Sequence, residues 1–427
     1  MSGSDSKPSG STVRAGEPVA GRSTGRPEGG RGYRFPVLLF FGVAIVLYLV
    51  VWLAGQLLPA SEAAKQPIEN RPHLEHFDDQ LGPWLWYDSG WYIGIAGEGY
   101  SDRQIDAFKS GGQSSVAFFP SYPIVVGEVD RVVGDRALAA IITTFVAGLG
   151  FALLFWRWCR DRLTPRGRRV ALALLLLYPY SWFLFGTGYA DALFLCATLA
   201  AFVLLDADHP VLAGVVAVVA TAGRPTGAAV VIGLVAVALD RRGAVDLSRE
   251  RPRVRVHPAR LRASDSGVLL AAGGLVAWCA YLYVRTGDAF AFSTVQGAPG
   301  WDQPSGPHTW FKLGFFSRIV HVSDPAFTVR LLAQAALAMV FLALIPAVVR
   351  KLGWGYGVFT LAIIGIPLVG TGDFQGVGRY LLAAFPVFAV AGDWLAERDK
   401  VRQAVLGASA TLLVVFSALF ASGHYLT

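Results

Sequence analysis

The sequence predicts an all-α polytopic membrane protein: a bundle of about eleven transmembrane helices, with outer-face loops carrying the chemistry. Three observations predict it. Hydrophobic residues make up 54% of the 427 and charged residues 16%, with a mean hydropathy of +0.48. A water-soluble chain of this size would hold about a quarter charged residues. Runs such as Phe35–Leu57 and Ala404–Ala421 are unbroken and near the length at which a helix crosses a bilayer. They lack the ten-residue alternation of a spanning β-strand.

Residues 1–34 are mostly Gly, Ser, Pro and Arg, with almost no large apolar groups. Such a segment buries too little surface to fold, so a disordered cytoplasmic tail is expected. The apolar run behind it is too long for a signal peptide cleaved near Leu58-Pro59-Ala60-Ser61. Residues 35–427 form the multi-span domain. Its predicted spans are 36–58, 137–156, 169–186, 189–206, 210–223, 226–240, 266–284, 329–349, 353–370, 379–396 and 403–421. The fifth and sixth are short and are separated by the break Gly223-Arg224-Pro225-Thr226-Gly227. Residues 82–100 read as an amphipathic interfacial helix, and 117–133 as a re-entrant or interfacial segment.

Orientation follows from the basic residues. Arg157, Arg160, Arg162, Arg166 and Arg168, the run from Arg241 to Arg262, and Arg350, Lys351, Arg398, Lys400 and Arg402 all fall in alternate connections. The positive-inside rule places these, and the N-terminus, in the cytoplasm. The long loops 59–136 and 285–328 then lie outside, as does the C-terminus. The net charge of +7 is explained by this topology, so nucleic acid is not expected as a partner. The Arg, Ala, Gly and Val bias suits a GC-rich bacterial genome, hence an expected plasma-membrane location with a periplasmic site. Cys159, Cys196 and Cys279 form no CxxC or His/Cys cluster, so neither disulfides nor zinc are expected. His73 and His76 precede Asp78-Asp79, which reads as a solvated acidic turn; no metal ligands are assigned.

The candidate site residues lie on the outer face. Asp88 stands among aromatics in WLWYDSGWYIGIAGEGY. Trp84, Trp86, Trp91 and Tyr92 suit a headgroup belt, yet a belt needs no carboxylate. A carboxylate held partly out of water is the stronger base. Ala117-Phe118-Phe119-Pro120-Ser121-Tyr122-Pro123 is an apolar, proline-locked segment able to dip into the membrane. Asp191 ends PYSWFLFGTGYAD at the outer mouth of a helix, where it either complements the dipole or serves the site. Arg224 sits in the short break, and Arg379 starts another helix from outside. An arginine near lipid needs an anionic partner, either an aspartate or a phosphate. No Walker or dinucleotide-binding motif is present in context.

Four of these blocks resemble the PIG-V-like mannosyltransferases, enzymes of GPI-anchor synthesis with bacterial relatives. They are Trp86-Tyr87-Asp88-Ser89-Gly90-Trp91-Tyr92 with Ile95-Ala96 and Gly99-Tyr100; Ala117-Phe118-Phe119-Pro120 with Tyr122-Pro123; Gly188-Tyr189-Ala190-Asp191-Ala192-Leu193-Phe194; and Arg224-Pro225-Thr226-Gly227. They occur in the family's order, across residues 35 to 395. Tyr87 stands where the family commonly has Trp, and Asp191 where it usually has Glu. The loops 59–82 and 285–328 show no resemblance. The resemblance implies a GT-C fold, a polyprenyl-phosphate mannose donor, and an acidic base in the first outer loop, here Asp88. It implies a lipid-linked or glycan acceptor and requires no cofactor, with metal use left open. On that reading Arg224 and Arg379 meet the donor phosphate. Trp86, Trp91, Tyr92, Tyr122 and Asp191 contact substrate. Two other classes stay open at this stage: a lipid-linked sugar transporter or flippase, and a non-catalytic scaffold of a glycosyltransferase complex.

Overall fold

The computed structural model describes residues 30–61, 81–247, 254–322 and 324–426. Most of the expected tail, and His73, His76, Asp78 and Asp79, lie outside the described residues. Gly30–Tyr33 form a 3-10 turn, and the first helix already starts at Arg34.

By length and composition, five helices among the described residues suffice to cross a membrane. They are Arg34–Leu57, Arg136–Cys159, Ala263–Thr286, Pro325–Leu352 and Asp399–Ala421. A sixth crossing is available if Val377–Ala383 and Phe385–Ala396, bent by 81° at their junction, count as one broken span. The expected count of eleven crossings is not confirmed by these helices. Pro210–Thr221 has 12 residues, Gly227–Arg241 has 15, Asp191–Asp206 has 16 and Trp354–Gly370 has 17. At about 1.5 Å per residue, a 12-residue helix covers roughly 18 Å of a core about 30 Å thick.

The predicted span 169–186 is the clearest departure. Its helix runs Pro165–Leu176, and the chain then turns through the 3-10 segment Ser181–Leu184. Trp182, Phe183, Leu184 and Phe185 are fully buried there. Irregular backbone at membrane depth is tolerated only where protein surrounds it. Those apolar residues face protein rather than lipid, and hydropathy does not distinguish the two.

The interfacial helix predicted over 82–100 is also divided. Gly82–Trp84 is a 3-10 turn, and the α-helix runs Asp88–Glu98. Pro83 opens the turn, and Tyr87 takes φ 55°, a conformation that cannot continue a helix. The segment 117–133 holds the helix Ser121–Val133, closed by Gly134 at φ 74°. The basic segment 241–265 is more than a plain loop. Val245–Leu247 pairs antiparallel with Val254–Val256, the one sheet among the described residues.

Charges on the basic end are tied down. Asp206 receives Arg162 and Arg241, each at 2.6 Å. Arg242 bridges Asp208 at 2.6 Å and Asp265 at 2.8 Å. The Arg136–Cys159 helix separates this end from the Asp88 end, since Arg136 at its start lies over Gly97 of the Asp88 helix.

Candidate active site

Four segments far apart in sequence converge at the Asp88 end. Asp88 is the first residue of its helix, directly after the strained Tyr87. The Tyr189 hydroxyl accepts from the Asp88 N–H at 3.2 Å and donates to the Trp86 carbonyl at 3.3 Å. One phenol thus fixes both sides of the turn that presents the carboxylate. Tyr189 belongs to the turn 187–190, which leads into the helix Asp191–Asp206. Gly188 lets the turn approach Asp88's helix, because a Cβ there would sit 3.0 Å from Leu85 and Ser89.

The same turn is braced from below. Tyr122 donates its hydroxyl to the Ala140 carbonyl at 2.9 Å and lies 2.9 Å from the Thr144 hydroxyl. Thr144 donates onward to the Thr187 carbonyl at 2.6 Å. Ser121 N–H, beside Tyr122, donates to the Ala222 carbonyl at 2.9 Å, which joins this block to the break carrying Arg224.

Asp191 lies between two guanidiniums. Arg224 Nη1 donates directly to its Oδ1, and Arg379 Nε stands 3.8 Å from the same oxygen. Arg379 Nη1 is 3.6 Å from Asp88 Oδ2. Arg379 is enclosed by the rings of Phe183, Tyr189 and Tyr380, each 5.1 to 5.2 Å from its guanidinium carbon. The Tyr380 ring also lies 4.9 Å from Arg224. At those distances Arg379 Nε and Nη1 are buried and without a hydrogen-bond acceptor. Gly376, at φ 79°, turns the chain so that the short helix Val377–Tyr380 delivers Arg379 inward.

The two carboxylates differ in access. The Asp191 side chain is 4% exposed and that of Asp88 is 28% exposed. Asp191 is a fixed counter-ion; Asp88 has an open side on which another molecule can bond. A cavity of about 10 Å³ borders Asp191, Arg224, Thr226, Arg379 and Tyr380, room for one water and too small for a sugar. A larger cavity of about 560 Å³ opens at the other end of Asp88's helix, beside Tyr100 and Arg136. The charges around it are already paired, Arg131 with Glu128 and Arg136 with Asp130.

The aromatic candidates separate by environment. Trp91 is buried and stacks on Phe118 at 5.5 Å; Tyr92 packs on Phe118 and Tyr122. Trp91, Tyr92 and Tyr122 form the wall behind the site. Trp86 is half-buried, and its indole N–H donates to the Ala421 carbonyl at 3.0 Å.

Two supporting groups escaped the sequence reading. Tyr189 sits inside the 188–194 motif, where an aromatic among apolar residues carries no signal of its own. Gln334, 1% exposed within an apolar helix, accepts from the Gly378 N–H at 3.2 Å, one residue before Arg379. A lone amide in a predicted span was its available signal. The segment 285–328 also contributes: Gln303 accepts from Gly372 N–H, and Lys312 donates to the Thr371 carbonyl, just ahead of the Arg379 turn.

No protein-family model matches the sequence, and no curated protein matches it. Among solved structures, the chain is similar to the Archaeoglobus fulgidus oligosaccharyltransferase in complex with Zn and sulfate. Identity is 13% and the TM-score 0.40, over 90% of this chain and 53% of that one. It is also similar to the archaeal oligosaccharyltransferase AglB from Archaeoglobus fulgidus, in complex with an inhibitory peptide and a dolichol-phosphate. There identity is 12% and the TM-score 0.41, over 92% of this chain and 56% of that one. The chain spans about half the length of these structures. Likeness at this level assigns neither a reaction nor a ligand to the chain. The resemblance to PIG-V-like mannosyltransferases rests on the four motifs alone.

Proposed function

We propose that this chain is a GT-C-type membrane glycosyltransferase. It moves a mannosyl residue from polyprenyl-phosphate mannose to a hydroxyl of a lipid-linked or glycan acceptor at the outer membrane face. One observation carries the reading: a partly open carboxylate, Asp88, is held 3.6 Å from a buried guanidinium that retains unbonded N–H groups. Such an array offers a base on one side and donors for a departing anion on the other.

Asp88 takes the proton of the acceptor hydroxyl as its oxygen bonds to the anomeric carbon. The bond from that carbon to the phosphate oxygen breaks, and its electron pair leaves with the lipid phosphate. A single displacement inverts the anomeric centre. The leaving phosphate is a weak base, so no strong general acid is demanded, and the scheme requires no metal. Arg379 and Arg224 face the developing charge, Asp191 orients both, and Trp86 borders the acceptor side.

In membranes supplied with polyprenyl-phosphate mannose and an extracted lipid acceptor pool, Asp88→Asn lowers transfer by about 10²–10⁴-fold, the usual worth of a positioned base. Insertion and melting stay as in the wild type. Undiminished turnover by a folded Asp88→Asn protein overturns the reading in favour of a transporter or scaffold.

A further inference from the structure

We propose that Arg330 binds the phosphoryl group of an isoprenoid phosphate beside the Asp88 site. This rests on the transferase reading above and deepens it by naming the group that supplies the positive charge.

The charge balance of the site calls for another cation. Arg224 and Arg379 are set against Asp191 and Asp88, two guanidiniums against two carboxylates. That cluster is neutral, so a lipid phosphate entering it meets donors but no net positive charge. Arg330 supplies the missing charge. It lies near the start of the apolar helix Pro325–Ala343, part of a candidate span. Its Nη1 donates to the Tyr425 carbonyl, its guanidinium lies 4.8 Å from the Phe327 ring, and its Nε is buried without an acceptor. Among the described residues no carboxylate forms an ion pair with it. The charge of the nearest acid in sequence, Asp324, acts on Arg330 through space without an ion pair between them, and Asp324 caps its own helix by accepting from the Phe327 N–H at 3.0 Å. An arginine on a membrane helix is costly and calls for an anion.

Its position matches that role. The Tyr425 ring lies 4.7 Å from the Tyr87 ring, and Tyr87 directly precedes Asp88. One turn further along the same helix face, Gln334 bonds the backbone of Gly378, directly before Arg379. Arg330 and Gln334 therefore lie along the flank of the Asp88–Arg379 pair. On either side of Arg330, Val329 and Leu332 are exposed apolar residues on the outer surface of this helix. An isoprenoid chain running over them brings its head group to the guanidinium fork. The departing lipid phosphate carries one more negative charge than the sugar-bearing diester, so Arg330 favours the product side of bond cleavage.

The test is binding to the purified full chain in detergent, with polyprenyl phosphate, the polyprenol of equal length, inorganic phosphate and phosphatidylglycerol as probes. The wild type is expected to prefer the isoprenoid phosphate over the alcohol. Arg330→Gln should remove about tenfold or more of that preference, as expected for a charged hydrogen bond, and Arg330→Lys should restore part of it. Glutamine retains a donor for the Tyr425 carbonyl, and a melting temperature like the wild type's shows that it folds. Arg330→Lys, which keeps the charge, carries the comparison if it does not. A folded Arg330→Gln protein that retains the preference overturns the proposal, as does a wild type without one. Equal competition by phosphatidylglycerol or inorganic phosphate overturns the isoprenoid source. Retained transfer by Asp88→Asn, with the Arg330 result intact, overturns the transferase reading alone.

Discussion

Asp88 and Asp191 are the same residue type and share one guanidinium, yet their surroundings assign them different work. Asp191 is enclosed and bonded by Arg224, so its removal strands that buried cation and leaves Arg379 with Asp88 alone. Asp191→Ala should cost about 3–5 kcal/mol, the usual penalty for breaking a buried pair, read as a drop in melting temperature. Asp191→Leu combined with Arg224→Leu should recover much of it, because an apolar pair of similar size removes both desolvation penalties. Tyr189 acts on the open carboxylate by a different route. Tyr189→Phe removes the hydroxyl that joins Trp86 and Asp88, at about 1 kcal/mol of stability. Turnover should fall by more than that loss explains, with donor KM little changed, because the Asp88 turn relaxes from its strained φ. An equal fall in stability and activity would make Tyr189 an ordinary core tyrosine.

At the scale of elements, the site is built where helices stop. The Asp88 helix, the Asp191 helix and the short Arg379 helix all present their charged side chains at or near their first turn. Arg224 occupies the gap between two short helices. The segment 285–328 reaches this region through Lys312, whose backbone takes φ 57° and whose ammonium donates to both oxygens of Thr371. Burial pushes the Lys312 pKa down from 10.5 to about 8. Between pH 8 and 10.5 the undocked segment holds the proton that the docked segment has released. Docking therefore strengthens as pH rises through that window and is insensitive to this group below it. Limited proteolysis of the segment around residue 312 should slow from pH 8 to pH 10. Lys312→Met should abolish that trend.

Across the whole molecule, the two ends carry different charge arrangements. The Arg162–Asp206–Arg241 and Arg242–Asp208–Arg262 networks occupy one end, and the Asp88 cluster occupies the other. With the basic end in the cytoplasm, a Glu98→Cys variant should react with an impermeant thiol reagent in intact cells. An Arg160→Cys variant should react only after permeabilisation. The reverse pattern would place the Asp88 site in the cytoplasm and remove it from any extracytoplasmic sugar acceptor.

Much of this molecule is legible residue by residue. The apolar runs announce helices, and Asp88, Asp191, Arg224 and Arg379 stand out as charges beside them. Their pairing is not legible, because a distance of 3.6 Å between Asp88 and Arg379 depends on how several helices stack. The same limit applies to the predicted span 169–186. Trp182 and Phe183 score as apolar in a span, whereas they fill protein interior around a broken helix. Hydropathy measures the free energy of leaving water and is indifferent to whether lipid or another helix receives the side chain. Local composition thus settles which residues avoid water. Packing alone settles what they touch and which of the two aspartates keeps more access to solvent.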